Sequence, residues 1–280
     1  MTVKGSDAIV AEEKLTLRLA EAIAASDPLH DEEAVTIART ALIDFFACVL
    51  GGAADRSTKI LIGTFASGIQ GAAGIIGHDL RTDAFTASLI NGHAGHVLDY
   101  DDVHGSVRGH PTVAIIPALL AIAVEEGSTA DAFIAAYIVG LETMARIGLS
   151  LGTRHYENGF HATATLGPIG AAAAIAHLLK FDTKTTATAL GLAATQSAGL
   201  RLQFGFDAKP LHAGLAARAG LTAGRLARSG FQGAPDLRLG RTLADRLARP
   251  HPQGFSLLHR QPSRCCRRAG VAQQPRSDAG

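Results

Sequence analysis

The stretch 128-STADAFIAAYIVGLETMARIGL-149 decides the fold class. Its apolar side chains recur every three or four residues, the spacing that lines one face of an α-helix and not the alternation of a strand. The opening tetrad predicts a capping box, with Ser128 and Asp131 satisfying first-turn amides. The same periodicity continues to either side and predicts helices at roughly 8–25, 32–50, 56–69, 82–97, 112–126, 129–150, 162–180, 184–199 and 210–229. Gly51–Gly52 is expected to end the second of these in a left-handed cap. Asp182 or Thr183 is expected to cap the one at 184. No segment has convincing strand periodicity. Several helices are apolar around most of their circumference, as in a multilayered bundle or at an oligomer interface. The expected fold is therefore all-α, a multi-helix bundle.

Composition agrees. The chain has 280 residues, 47% hydrophobic and 18% charged, with 5% aromatics and no Trp, which favours close-packed helices over a β-sandwich. A formal net charge of +1 gives no general attraction to nucleic acid or to an anionic membrane, so neither is expected as a partner. The Ala/Gly-rich segment 162–179 approaches membrane-spanning length, but Pro168 and His177 make a buried helix the better reading. Cys48 lies in an apolar run, and Cys265–Cys266 lack metal-site spacing, so a reducing compartment is expected. The N-terminus has no apolar signal core and carries early acids, and the protein is expected in the cytoplasm.

The texture changes near residue 237. Residues 1–236 read as one helical domain; residues 237–280 hold nine arginines, no lysine and two acids, without sustained periodicity after Leu247. A disordered basic tail that binds nucleic acid is one reading, but it lacks interleaved aromatics. A shifted reading frame in a GC-rich gene is the preferred expectation.

Polar residues concentrate where a helical core should be apolar. The stretch 98-LDYDDVHGSVRGHP-111 holds Asp99, Asp101, Asp102, His104, Arg108 and His110, directly after a helix bearing His93 and His96. His161 opens an apolar helix at 159-GFHATATLG-167, Lys209 and His212 flank Pro210 at another helix start, and Arg201 is the least specific of the set. Histidines can exchange protons near neutral pH, a lysine can hold a carboxylate, and an aspartate can orient a histidine or act as an acid. His93 and His96, three apart, could instead ligate a metal with Asp99 or Asp102, although cap or helix-surface roles are the commoner use of such residues.

The blocks 91-NGHAGHVLDYDDVHGSVRGHP-111, 159-GFHATATLGPIGAAAA-174 and 208-AKPLHAGLAARAG-220 resemble the MmgE/PrpD family over most of residues 10–236. That family includes 2-methylcitrate dehydratase, cis-aconitate decarboxylase and iminodisuccinate epimerase. The resemblance implies an all-helical large domain, a homodimer, and chemistry on small carboxylates with no metal or organic cofactor. It implies Asp99, His110 and His161 as catalytic residues and Lys209 as the ligand of a substrate carboxylate, with Asp102, His104 and His212 in support behind them. Val103 stands where many relatives have a threonine, which removes a hydroxyl contact to substrate. Relatives continue into an α/β lid domain, and nothing in 237–280 resembles one. The function expected is a lyase or isomerase of di- or tricarboxylates, of the dehydratase type, with activity impaired if the lid is missing. The alternatives are a non-catalytic helical dimer descended from such an enzyme, and a metal-dependent hydrolase built on His93, His96 and nearby aspartates.

Overall fold

The computed structural model describes residues 15–234, so the start of the helix expected at 8–25 and the whole 237–280 segment lie outside the described residues. Within them the chain is helical as expected: α1 Leu15–Ala25, α2 Glu32–Gly52, α3 Arg56–Phe65, α4 Ala84–His96, α5 Thr112–Glu126, α6 Ala130–Leu151, α7 Arg154–Glu157, α8 Ala162–Leu178, α9 Thr183–Ala194 and α10 Ala208–Arg228. A two-residue antiparallel pair, β1 Ala73–Gly74 with β2 Arg81–Thr82, interrupts the series before α4.

Helix α8 is the axis of the bundle. Every residue in it except His177 is buried, and it packs against α5, α6, α9 and α10. Small residues make this possible. A Cβ on Gly140 of α6 would lie 2.7 Å from the Gly170 carbonyl oxygen, and one on Gly220 of α10 would lie 2.4 Å from Ala171 Cβ. Backbones at such separations leave no room for larger side chains, so the Ala/Gly-rich composition is the packing rule of the core. Around this axis Ile115, Ile116, Leu119, Ile138, Met144 and Ile147 are fully buried.

Both α2 and α6 are long and apolar enough, by length and composition, to cross a membrane. For α6 the apolarity is explained by the core, because 78% of its apolar window is buried within the fold. Helix α2 is only 33% buried and leaves Ile43, Phe46 and Leu50 exposed along one side.

Helix ends correct two details of the sequence reading and decide a third. The cap of α6 is Thr129, not Ser128: its side chain accepts from the Ala132 N–H at 3.2 Å. Of the two candidates before α9, Asp182 is the cap, accepting from the Thr185 N–H at 2.7 Å. Gly51–Gly52 forms no left-handed cap; α2 runs through Gly52 and ends at Ala53 with φ −59°. The need for glycine there is room, since a Cβ on Gly52 would lie 2.0 Å from the Ala94 carbonyl oxygen of α4. The left-handed cap occurs instead at Gly127, φ 61°, after α5.

Candidate active site

Three chain segments converge on the N-terminal ends of α8 and α10. The first is the loop after α4. Asp99 adopts a left-handed conformation with φ 55°, uncommon for a residue with a Cβ but tolerated by aspartate. The loop then folds on itself: the His104 N–H donates to the Gly109 carbonyl at 3.0 Å, and the His104 carbonyl accepts from Arg108 at 2.8 Å. Gly109 and His110 seat the loop on α8, where the His110 N–H donates to Thr163 Oγ1 at 2.9 Å and a Cβ on Gly109 would meet the same oxygen at 2.8 Å.

The second segment places His161 as the residue capping α8. Its N–H donates to the Gly199 carbonyl at 3.0 Å, and the Arg201 N–H donates to the Gly159 carbonyl at 2.8 Å. This short pairing of 159–161 with 199–201 explains why α9 ends at Ala194 instead of running to 199. The Arg201 guanidinium lies 3.7 Å from the centre of the Tyr156 ring and donates to the Tyr156 carbonyl, so it braces this turn. The third segment is the first turn of α10, with Lys209, Pro210 and His212.

The side chains meet as follows. Lys209 Nζ is 2.6 Å from Asp99 Oδ1, and His110 Nε2 is 3.5 Å from the same oxygen. His110 Nδ1 is 3.0 Å from Asp101 Oδ2. His96 Nδ1 faces both oxygens of Asp101, at 2.9 and 3.0 Å. His161 and His212 touch through their Nδ1 atoms at 3.1 Å, so one of the two must carry the hydrogen and the other accept it. The His161 ring packs edge-on against Phe204 at 5.0 Å, and Lys209 Nζ lies 5.2 Å from the centre of the same phenyl ring. Asp102 turns away from the histidines to the start of α5, where Thr112 Oγ1 donates to it at 2.7 Å and lies 2.6 Å from the buried Tyr137 hydroxyl.

Electrostatics divide the labour. Burial opposes the charged form of His110, but Asp101, Asp99 and Asp102 outweigh it and hold the imidazole above its usual value. His161 is the opposite case: burial, reinforced by His96, His212, His110 and Lys209, pushes it down to about 2. Burial likewise works against the Asp101 carboxylate, yet His96 and His110 keep it well below the usual range. Burial raises Asp102 to about 7, with Asp101 and Asp44 adding repulsion against the Thr112 hydrogen bond. The cluster thus sets an imidazole biased toward its cationic form near one biased toward its neutral form, beside a lysine and two carboxylates that favour ionisation.

Of the residues expected from the sequence, Asp99, His110, His161, Lys209 and His212 come together, Asp102 stands behind them, and His104 shapes the loop. His93 does not join. It turns toward α3, with Nε2 2.8 Å from Ser57 Oγ, and so cannot share a metal with His96. Four other groups do converge, since ligand atoms of His96, Asp99, Asp101 and His110 lie within 4.8 Å of one another. The Lys209 ammonium already supplies a cation on Asp99, and His96 Nδ1 is turned to Asp101, so this donor set suits a carboxylate ligand better than a metal. Asp101 and His96 were named among the polar residues, His96 as a possible metal ligand, but sequence reasoning assigned neither a place at this site; their signal was the i, i+5 spacing that lets a helix-end histidine meet the second carboxylate of the loop beyond it.

Comparison with known proteins fits this geometry. The family described as MmgE/PrpD N-terminal domain matches residues 18–246. Cis-aconitate decarboxylase of Aspergillus terreus is 32% identical over 203 residues, covering 70% of this chain and 41% of that protein. The Homo sapiens protein of the same name is 30% identical over 161 residues, 55% of this chain and 33% of that protein. The chain therefore spans well under half the length of these curated relatives. It belongs to the MmgE/PrpD family, of which it carries the N-terminal helical domain.

Proposed function

We propose that this chain is the helical part of a lyase acting on small di- or tricarboxylates related to cis-aconitate. The observation that carries the reading is the convergence of His110, His161 and Lys209 around Asp99 and Asp101, in surroundings that favour the protonated form of His110 and the neutral form of His161. Losing CO2 from such an acid leaves an electron pair on carbon that a proton must quench. Losing water requires a proton on the departing hydroxyl and removal of a C–H proton. Moving a proton next to a carboxylate requires the same two partners, so an isomerase shares the machinery. In each case anionic charge gathers on a substrate that is already an anion, and fixed cations in a dry pocket offset it.

Lys209 and His110 are the cations that hold substrate carboxylates. His161 is the proton acceptor; the negative charge of a bound polycarboxylate offsets the cations that depress it and brings its proton affinity back toward the working range. Asp99 holds Lys209 and His110 in place and is a candidate acid for the leaving group. Val103, 42% exposed on the same loop, offers no hydroxyl to the substrate. The exposed Ile43, Phe46 and Leu50 of α2 are proposed as the face where two copies pair in the cytoplasm.

The test is turnover of cis-aconitate, followed by CO2 release. Activity that disappears in both His161→Ala and Lys209→Ala, with helix content by circular dichroism unchanged, supports the reading. Equal turnover in both variants and wild type overturns the assignment of the site.

A further inference from the structure

His96 is the last residue of α4 and is 1% exposed. One edge of its ring is committed: Nδ1 faces both oxygens of Asp101 at 2.9 and 3.0 Å. An ionised carboxylate only accepts hydrogen bonds, so Nδ1 carries the hydrogen, and the other nitrogen, Nε2, is the one free to act. That nitrogen is buried and has no hydrogen-bond partner among the described residues. The ring lies 4.4 Å from that of His110 and 6.0 Å from that of His161, within the cluster proposed to hold the substrate.

An unpartnered buried polar nitrogen is destabilising, because it has given up its hydrogen bond to water without replacing it. A leucine or phenylalanine at the end of α4 would avoid that cost, and it would also leave Asp101 without its partner. An aspartate that fixes the tautomer of a histidine, so that the far nitrogen meets the substrate, is a recurring arrangement in acid–base sites. Here the neighbours of that far nitrogen select what it meets. Lys209 and His110 draw the anionic acid in, and a ring whose Nδ1–H is held by Asp101 turns the Nε2 lone pair toward a carboxyl O–H of that acid.

We propose that His96 is a further substrate-binding residue, whose Nε2 pairs with a carboxyl group of the bound acid through one proton taken up with the ligand, and that Asp101 is the positioning residue that holds Nδ1–H. The inference rests on the polycarboxylate reading of the site and adds a contact to it. Apart from the proton taken up with the ligand, no bond is made or broken; the carboxyl group completes the hydrogen bonding of a nitrogen that the described residues leave open.

Two isosteres separate the edges of the ring. His96→Asn places an amide N–H near the Nδ1 position and keeps the bond to Asp101 without reaching the substrate. His96→Gln places an amide N–H near the Nε2 position and keeps the reach while losing Asp101. Calorimetric titration of the full chain with cis-aconitate is expected to show at least tenfold weaker binding for His96→Asn, a smaller loss for His96→Gln, and a thermal midpoint for His96→Asn close to that of wild type. In wild type, the His96 Nε2 resonance in long-range proton–nitrogen spectra is expected to shift on saturation with cis-aconitate, a readout that needs no variant to fold. Wild-type affinity in His96→Asn, or an unmoved Nε2 resonance at saturation, overturns the inference; if Lys209→Met still weakens binding, the polycarboxylate reading survives that failure. Absence of any binding by wild type overturns both.

Discussion

Helices α4 and α10 carry His96 and Lys209 to the same pocket, and their crossing is set by Gly214 and Gly92. A Cβ on Gly214 would lie 2.1 Å from the Leu89 carbonyl oxygen and 3.2 Å from the His93 nitrogen, whereas ordinary contact begins at 3.4 Å. The offending atom is backbone within a regular helix and cannot rotate aside, so Gly214→Ala must push the helices apart by about 1.3 Å, the difference between 3.4 and 2.1 Å. Overpacking of this kind costs about 1–3 kcal/mol, and the immovable neighbour puts it at the upper end. Replacing glycine by alanine inside a helix returns about 1 kcal/mol. The contact between Lys209 and Asp99 stretches as well, but the Asp99 side chain is 53% exposed, so its loss adds little to stability. The net expectation is a loss of about 2 kcal/mol in urea unfolding, together with weaker cis-aconitate binding because α10 carries Lys209 and His212 away from α4. Gly63→Ala is the control: Gly63 lies in α3 with nothing within 4 Å of its added Cβ, and this change should stabilise by about 1 kcal/mol. A Gly214→Ala protein as stable as wild type would refute the close-packing argument.

Other outcomes follow from buried polar groups. Thr112→Val removes the hydroxyl between Asp102 and Tyr137 and leaves both without that partner; a loss of about 2 kcal/mol is expected in urea unfolding, and a change under about 0.5 kcal/mol would contradict it. His93 is lowered from 6.5 to about 4, mainly by burial, with Asp55 and Asp207 opposing and His96 assisting. Its folded value lies below its unfolded one, so the unfolded state binds the extra proton and stability falls as pH drops from 6.5 toward 4. His93→Asn should flatten the stability–pH slope in that window by up to about 1.4 kcal/mol per pH unit, and an unchanged slope would assign the acid sensitivity elsewhere.

Much of this was legible in the sequence because helical periodicity is local. The spans at 32–50, 112–126 and 129–150 differ from α2, α5 and α6 by no more than two residues at an end. Long-range pairing was not legible. Residues 195–199 continue a helical pattern, yet they leave the helix so that Gly199 can accept from His161. Gly52 shows a second limit, since a glycine required for room and one required for a left-handed turn are identical in one dimension. His93 and His96 show a third. Three positions apart, they suggest a shared ligand, but the approach of α3 gives His93 a serine partner while the loop beyond α4 gives His96 an aspartate. The loop 98–111 concentrates charge because Asp99, Asp101 and Asp102 serve three different neighbours: the lysine of α10, the histidines His96 and His110, and the threonine that opens α5.

The central claim is that Lys209, His110 and His161 form a pocket for a polycarboxylate. Its most direct test is calorimetric titration of cis-aconitate into the full chain, with wild type and Lys209→Met compared at one pH and salt concentration. The account predicts saturable binding by wild type, at least tenfold weaker binding by Lys209→Met, and equal thermal midpoints without ligand. Equal affinity in the two proteins, or no binding by wild type, would contradict it.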